Sequence, residues 1–150
     1  MGKQNDIWVI NGPNLNMLGK REPELYGSQS LSDIEEAAQK RAANHGLSLV
    51  WHQSNHEGQI IDWLQAARND ARSVILNAAG YTHSSVAIRD AFLLFEGPRL
   101  EIHLSNIYQR EEFRHHSYLS DVATGIIAGF GATSYLLAIE AVADLLQDTP

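Results

Sequence analysis

The 150-residue chain contains no cysteine. That excludes disulfides, a thiolate nucleophile, cysteine-ligated zinc and iron–sulfur clusters. It fits a cytoplasmic protein without demonstrating one, since exported proteins also lack cysteine. Basic charge is short as well: 11 Lys and Arg stand against 18 Asp and Glu, a formal net charge of −7. General nucleic-acid binding needs a basic surface to displace counterions, so it is disfavoured. A small anionic ligand needs only local positive charge and remains open. Long apolar runs are missing too. Met1–Asp6 leads into four apolar residues, Ile7–Ile10, too few for a signal-peptide core, and Asp6 stands where a myristoylation signal needs Ser or Thr. The expectation is a cytoplasmic chain. The apolar C-terminal stretch is broken by Gly, Thr, Ser and then Glu140, which reads as a buried strand plus a helix and not a membrane span.

Several signatures are absent. There is no Gly-x-Gly-x-x-Gly after the first strand, no Gly-Lys-Ser/Thr and no Gly-x-Ser-x-Gly. Dinucleotide, P-loop and α/β-hydrolase readings are correspondingly weak. Asn55-His-Glu57 falls short of a metal motif. Glu111-Glu-Phe-Arg-His-His116 has adjacent histidines that diverge on a helix and no third ligand spaced to converge, so a surface cluster is the better reading.

What is present is alternation. Apolar runs at 7–10, 47–51, 73–77, 99–104 and 125–129 are separated by helical patterns at 31–45, 59–68, 86–95 and 134–146. A chain of this length and 44% hydrophobic content fits one domain, residues 1–150, with a sizeable core. Strands alternating with helices predict βαβ units and an α/β fold: a flavodoxin-like, doubly wound, five-stranded parallel sheet of order 2-1-3-4-5 with helices on both faces. The first helix carries a capping-box signal at Ser32-Asp-Ile-Glu35 and a stop at Asn44-His-Gly46. Residues 107–120 read as a short helix or ordered loop.

In such sheets ligands sit beyond the carboxyl ends of the strands, and polar residues collect there. The first strand runs into a long loop, Asn11–Gly27, with two prolines, three glycines and three asparagines. It cannot be a helix or central strand, and a loop this long needs a functional reason. It holds Asn14, Arg21 and Tyr26, and a phenol beside a fixed guanidinium loses its proton more easily. The second strand ends on His52, Gln53, Ser54, Asn55 and His56; the third on Asn77, Tyr81, Thr82, His83 and Ser84; the fourth on His103, Ser105 and Asn106, then Arg110 and Arg114.

Along the fourth strand Glu101, His103 and Ser105 fall on one face and Leu100, Ile102 and Leu104 on the other. A carboxylate two residues before a histidine can bond one ring nitrogen and leave the other for proton transfer. A hydrogen-bonded core histidine on a near-edge strand would look the same. His83 reads as the opening of a helix, where it could help bind an anion. Asp90 lies seven positions on, nearly the same face, and by itself reads equally well as a solvated residue.

These segments resemble type II 3-dehydroquinate dehydratase, the small dehydroquinase of the shikimate or quinate pathways. The likeness runs through Asn11–Gly27, Gln53-Ser-Asn-His-Glu-Gly58, Tyr81-Thr-His-Ser-Ser-Val-Ala-Ile-Arg-Asp90, residues 101–107, residues 110–118, Gly125–Gly131 and Tyr135–Glu140. It implies a cofactor-free lyase with a flavodoxin-like subunit, assembled as a dodecamer of four trimers. It implies reversible loss of water from 3-dehydroquinate to give 3-dehydroshikimate. By resemblance Tyr26 is the base for the C2 proton and Arg21 favours its tyrosinate. His103, held by Glu101, protonates the departing hydroxyl. Asn14 and Asn77 hold an enolate-side water and the substrate. His83, Arg114 and the Leu104–Ser105 segment contact substrate, the last at its carboxylate, and Asp90 is lent by a neighbouring subunit. The chain departs from the common pattern at Ala78-Ala79-Gly80, at Met17 and Lys20, and at Tyr108-Gln109, none of them a proposed catalytic group. A flavin- or nucleotide-binding module and a non-catalytic scaffold are the competing readings; the first leaves Arg21, Tyr26 and His103 unexplained, and the second would need lost catalytic residues.

The chemistry is coherent with these residues. A β-hydroxy ketone loses water through an enolate, which needs a base, a donor near the ketone oxygen and an acid at the leaving oxygen. Lowering a phenol by three units takes about 4 kcal/mol. One exposed Arg cannot supply that, so Arg110 or Arg114 in a dry site is expected to assist.

Overall fold

The computed structural model describes residues 2–20, 24 and 28–147. Strands β1 (Asn5–Asn11), β2 (Leu49–Gln53), β3 (Ala71–Asn77), β4 (Arg99–His103) and β5 (Gly125–Ala128) form one parallel sheet in the order 2-1-3-4-5. Helices α1 (Leu31–Asn44), α2 (Glu57–Asp70), α3 (Val86–Leu93) and α4 (Thr133–Gln147) cover it. The predicted fold class and strand order are those observed.

Period-two alternation sorts the strand residues between two cores. Ile7, Val9, Ile75, Leu100 and Ile102 pack with Ile34, Ala38 and Ala42 of α1 and with Ala138, Ile139 and Val142 of α4. Trp8, Ile10, Val74 and Leu76 pack with Ile60 and Leu64 of α2 and with Ile88 and Phe92 of α3. The second core holds no β4 residue. On that face β4 carries Glu101 and His103, both buried. What covers them is the irregular segment 107–122, which makes three single-turn 3-10 helices and anchors itself by Leu119 in the core.

Three local expectations shift. The α1 cap is Ser30, not Ser32: the Ser30 hydroxyl accepts from Asp33 N at 3.1 Å, and Asp33 accepts from Ser30 N at 3.1 Å. The capping-box logic holds, two residues earlier, with Asp as its acid. The second strand starts at Leu49, not Leu47, because Leu47 closes the helix end. Gly46, at φ 70°, donates to Ala43 O, and Leu47 N donates to Ala42 O, both at 2.9 Å, the paired bonds of a Schellman turn. His83 ends a 3-10 turn (Ala79–His83), and α3 begins after Ser85, whose hydroxyl accepts from Ile88 N at 2.9 Å.

The register brings the strand ends level. Asn11 pairs with Gln53 on one side and Asn77 on the other. Gly12 then crosses the β3 exit at close range, donating to Asn77 O at 2.7 Å. A Cβ on Gly12 would lie 2.5 Å from Ala78 O, so only glycine lets the two loops meet here.

Candidate active site

Beyond the ends of β1, β3 and β4 lies a cavity of about 130 Å³. A single water needs only about 10–15 Å³ on the same measure, so the space suits a small molecule. The β1 loop contributes Asn14, with Pro13, Leu15 and Leu18. The β3 exit contributes Asn77, Ala79, Gly80 and His83. The β4 exit contributes His103, Leu104 and Ser105, followed by Ile107, Arg110 and Arg114.

Of the residues predicted from sequence, Asn14, Asn77, His83, His103, Leu104, Ser105 and Arg114 therefore meet at one cavity. Glu101 stands behind His103. Asp90 is exposed on α3 and is not among the lining residues. Arg21 and Tyr26 lie outside the described residues.

Each side chain is held for a physical reason. Asn14 adopts a left-handed conformation, φ 69°, which Asn tolerates better than most residues. Its N–H donates to Asn55 Oδ1 at 3.0 Å, and Gln53 Nε2 donates to Gly12 O at 3.2 Å. The β2 exit thus cradles the β1 loop. Asn77 is buried: its Nδ2 donates to the Tyr135 hydroxyl at 2.9 Å and its Oδ1 accepts from Ala79 N at 3.2 Å. Tyr135 in turn donates to Asn11 Oδ1 at 2.6 Å. Burial drives the Tyr135 phenol well above its ordinary pKa, against the opposing bond from Asn77, so it stays neutral and offers no competing base.

His103 donates from Nε2 to Glu101 Oε2 at 2.5 Å. Glu101 is fully buried. Burial alone would raise its pKa, yet bonds and charge from His103, with Ser120 and Ser117 donating, more than offset this and hold the carboxyl below its ordinary range. The ring of His83 lies 6.3 Å from that of His103, centroid to centroid and 20° from parallel. His83 Nδ1–H donates to His116 O at 2.8 Å, leaving Nε2 as the second nitrogen. Burial first, then the Arg114 charge, push the His83 pKa down against the His116 carbonyl and the Glu101 charge, which favours the uncharged imidazole.

Positive charge comes from Arg110 and Arg114 on the cavity wall, both within reach of Glu111: Arg114 Nε at 3.0 Å and Arg110 Nε at 3.8 Å. Two guanidiniums beside a polar cavity suit a small carboxylic acid. Among the described residues no group of three or more His, Asp or Glu could hold a metal ion, and no helix is long and apolar enough to cross a membrane.

Sequence reasoning missed three contributors. Ser117, Ser120 and Tyr135 each support a cavity residue from behind, and none lies at a strand end, where the fold rule points. The only signal was the Glu101 carboxylate itself: a buried acid facing away from the apolar core demands donors, and residues 107–120 were the polar segment able to supply them.

A doubly wound parallel sheet with a carboxylate-backed imidazole and two guanidiniums at its carboxyl edge is the arrangement of an α/β enzyme with a cavity suited to a small acid. The comparisons make this particular. The family model for dehydroquinase class II matches residues 5–143, and the chain belongs to that family. A relative from Azorhizobium caulinodans named 3-dehydroquinate dehydratase is 56% identical over 137 residues, covering 91% of this chain and 92% of its own. A relative from Emericella nidulans named catabolic 3-dehydroquinase is 55% identical over 140 residues, covering 93% of this chain and 92% of its own. The crystal structure of type II dehydroquinase from Propionibacterium acnes superimposes with a TM-score of 0.90 at 39% identity, covering 96% of this chain and 99% of that one.

Proposed function

We propose that this cavity dehydrates 3-dehydroquinate to 3-dehydroshikimate by acid–base elimination through an enolate, without a cofactor. The observation that carries the proposal is the buried Glu101–His103 pair, 2.5 Å apart, at the wall of a cationic cavity in a class II dehydroquinase chain. The named relatives include one called catabolic, so both shikimate and quinate routes belong to the family's range.

In this reading Tyr26, as tyrosinate favoured by Arg21, removes the C2 proton, with Arg110 or Arg114 adding positive potential. Asn14 and Asn77 orient a water at the developing enolate oxygen; neutral amides donate there without altering the proton count. His103 protonates the C1 hydroxyl as it leaves. Backbone and hydroxyl at Leu104–Ser105 take the substrate carboxylate, with Arg114 and the uncharged His83 holding the rest of the ring. Asp90, exposed on α3, fits a residue lent to a neighbour's site in a dodecamer of four trimers. A cytoplasmic location and a single functional domain complete the proposal.

Addition of 3-dehydroquinate to the purified protein tests it. The product is a conjugated enone, so an increase in ultraviolet absorbance is expected. No increase, with substrate recovered unchanged, would remove the lyase assignment, whereas a yellow protein carrying a nucleotide would point to the cofactor-binding alternative.

A further inference from the structure

The pair Glu101–His103 is not self-sufficient. A fully buried carboxylate needs several donors to remain ionised. His103 supplies one. The others come from a single short segment after β4: Ser117 Oγ donates to Glu101 Oε2 at 2.8 Å, and Ser120 Oγ donates to Oε1 at 2.6 Å. The direction of the Ser117 bond is fixed by its surroundings. Leu119 N and Ser120 N both donate into Ser117 Oγ, at 3.0 and 3.2 Å. With its lone pairs engaged, the hydroxyl can offer Glu101 only its proton.

This has a consequence for the imidazole. With Ser117 donating to Oε2 and Ser120 to Oε1, the buried carboxylate is held ionised and has no proton to give. Its bond to His103 therefore requires a proton on Nε2, which leaves Nδ1 as the atom available for reaction. The same segment sets the other ring, since His116 O accepts from His83 Nδ1. Residues 116–120 thus back both imidazoles of the cavity.

We infer that Ser117 and Ser120 are positioning residues of the acid: their hydroxyls keep Glu101 an ionised carboxylate that holds the Nε2–H of His103, so that the further proton His103 takes up and delivers as acid sits on Nδ1, toward the substrate. The inference rests on the proposed role of His103 but is tested separately from it. Removing the hydroxyls destabilises the anionic form of the Glu101–His103 pair, so the pair takes up its proton at higher pH. The proton then also samples the carboxyl, which lets His103 adopt the opposite tautomer. Among the described residues, the other charged or titratable groups lining the same cavity, His83, Arg110 and Arg114, are unchanged in such variants.

Nitrogen-15 NMR of histidine-labelled enzyme across about pH 5 to 9 reads both effects, alongside kcat and KM. In wild type the neutral His103 ring is expected to show Nε2–H alone. In Ser120→Ala, and more strongly in Ser117→Ala/Ser120→Ala, the Nδ1–H form should appear and the pair should take up its proton at higher pH. kcat should fall about tenfold with KM changed less than about twofold, and Ser120→Thr should restore both. Ser117 also ties backbone N–H groups, so if the double variant does not fold, Ser120→Ala carries the test; among the described residues its hydroxyl bonds Glu101 alone. Unchanged His103 tautomer and midpoint in the Ser120→Ala enzyme would overturn the inference. Full activity in His103→Ala would instead remove the acid role while leaving the tautomer result standing.

Discussion

Asn77 Nδ2 donates to the Tyr135 hydroxyl at 2.9 Å, joining the end of β3 to the first turn of α4 beneath the floor of the cavity. The Tyr135 hydroxyl donates to Asn11 Oδ1 at 2.6 Å, and Asn11 Nδ2 donates to His52 O at 3.0 Å. The Asn77, Tyr135 and Asn11 side chains each have partners, the condition under which a buried polar network holds one arrangement.

Tyr135→Phe tests that network. It removes one hydroxyl and leaves two buried amide groups short of a partner, at a cost of about 2–3 kcal/mol. Urea denaturation should show a lower midpoint with an unchanged slope. The Asn77 amide also loses the bond that fixes its rotation, so kcat/KM should fall several-fold; wild-type stability would refute the network's contribution.

Tyr26 and His103 are assigned opposite halves of the elimination. Tyr26→Phe should abolish turnover while substrate binding stays within about tenfold, as expected for a group used mainly in the transition state. His103→Ala should be severely impaired as well. Calorimetric binding combined with steady-state rates separates the two effects, and substantial turnover in the Phe variant rules Tyr26 out as base.

His52 gives the protein an acid-sensitive element remote from catalysis. Its ring is stacked on Trp63 at 4.4 Å and edge-on to Trp8 at 4.7 Å, and among the described residues its buried Nε2 has no hydrogen-bond partner. Burial lowers its pKa below 6.5. A base with a depressed folded pKa binds fewer protons than in the unfolded chain. Its full contribution is therefore present above pH 6.5 and is lost as pH falls through that value toward the folded pKa. His83 acts in the same direction. Denaturation midpoints taken between about pH 7.5 and 5 should fall less steeply for His52→Phe than for wild type. Equal slopes would show that the ring accommodates its charge.

Ala79 occupies left-handed backbone, φ 53°, at the β3 exit. An L-residue pays about 1–2 kcal/mol there, partly offset by the greater unfolded freedom of a glycine replacement. Ala79→Gly should therefore raise stability by up to about 1 kcal/mol. A thermal scan decides it, and a lowered midpoint would mean that the turn gains more from the Ala methyl than its backbone loses.

If Asp90 serves a neighbouring site, two inactive proteins should rescue each other. Oligomers reassembled from mixed Asp90→Ala and His103→Ala subunits would contain sites with both wild-type groups and recover measurable activity. Sedimentation should give a mass near twelve subunits. Mixtures that stay as inactive as their parents would place Asp90 in service of its own subunit.

Much of this is legible in the sequence. Local periodicity encodes local geometry, so β1, β3 and the helices were found within a few residues, and the alternation along β4 put Glu101 and His103 on one face. The residues that cap a helix were harder. The sequence pointed to Ser32 with Glu35, but Ser30 and Asp33 exchange the two capping bonds instead. The β2 start was displaced because Leu47 was claimed by the helix end.

The chain's own pattern determined the sheet, its two apolar layers and the inventory of polar groups at its carboxyl edge, since each depends on neighbours a few positions apart. Only the folded structure decided which of those groups converge and what stands behind them. Tyr135 reaches Asn11 across 124 positions, and Ser120 reaches Glu101 across 19. Such bonds form because a buried donor or acceptor must find a partner wherever the packing supplies one, a requirement met in space and without a signature along the chain.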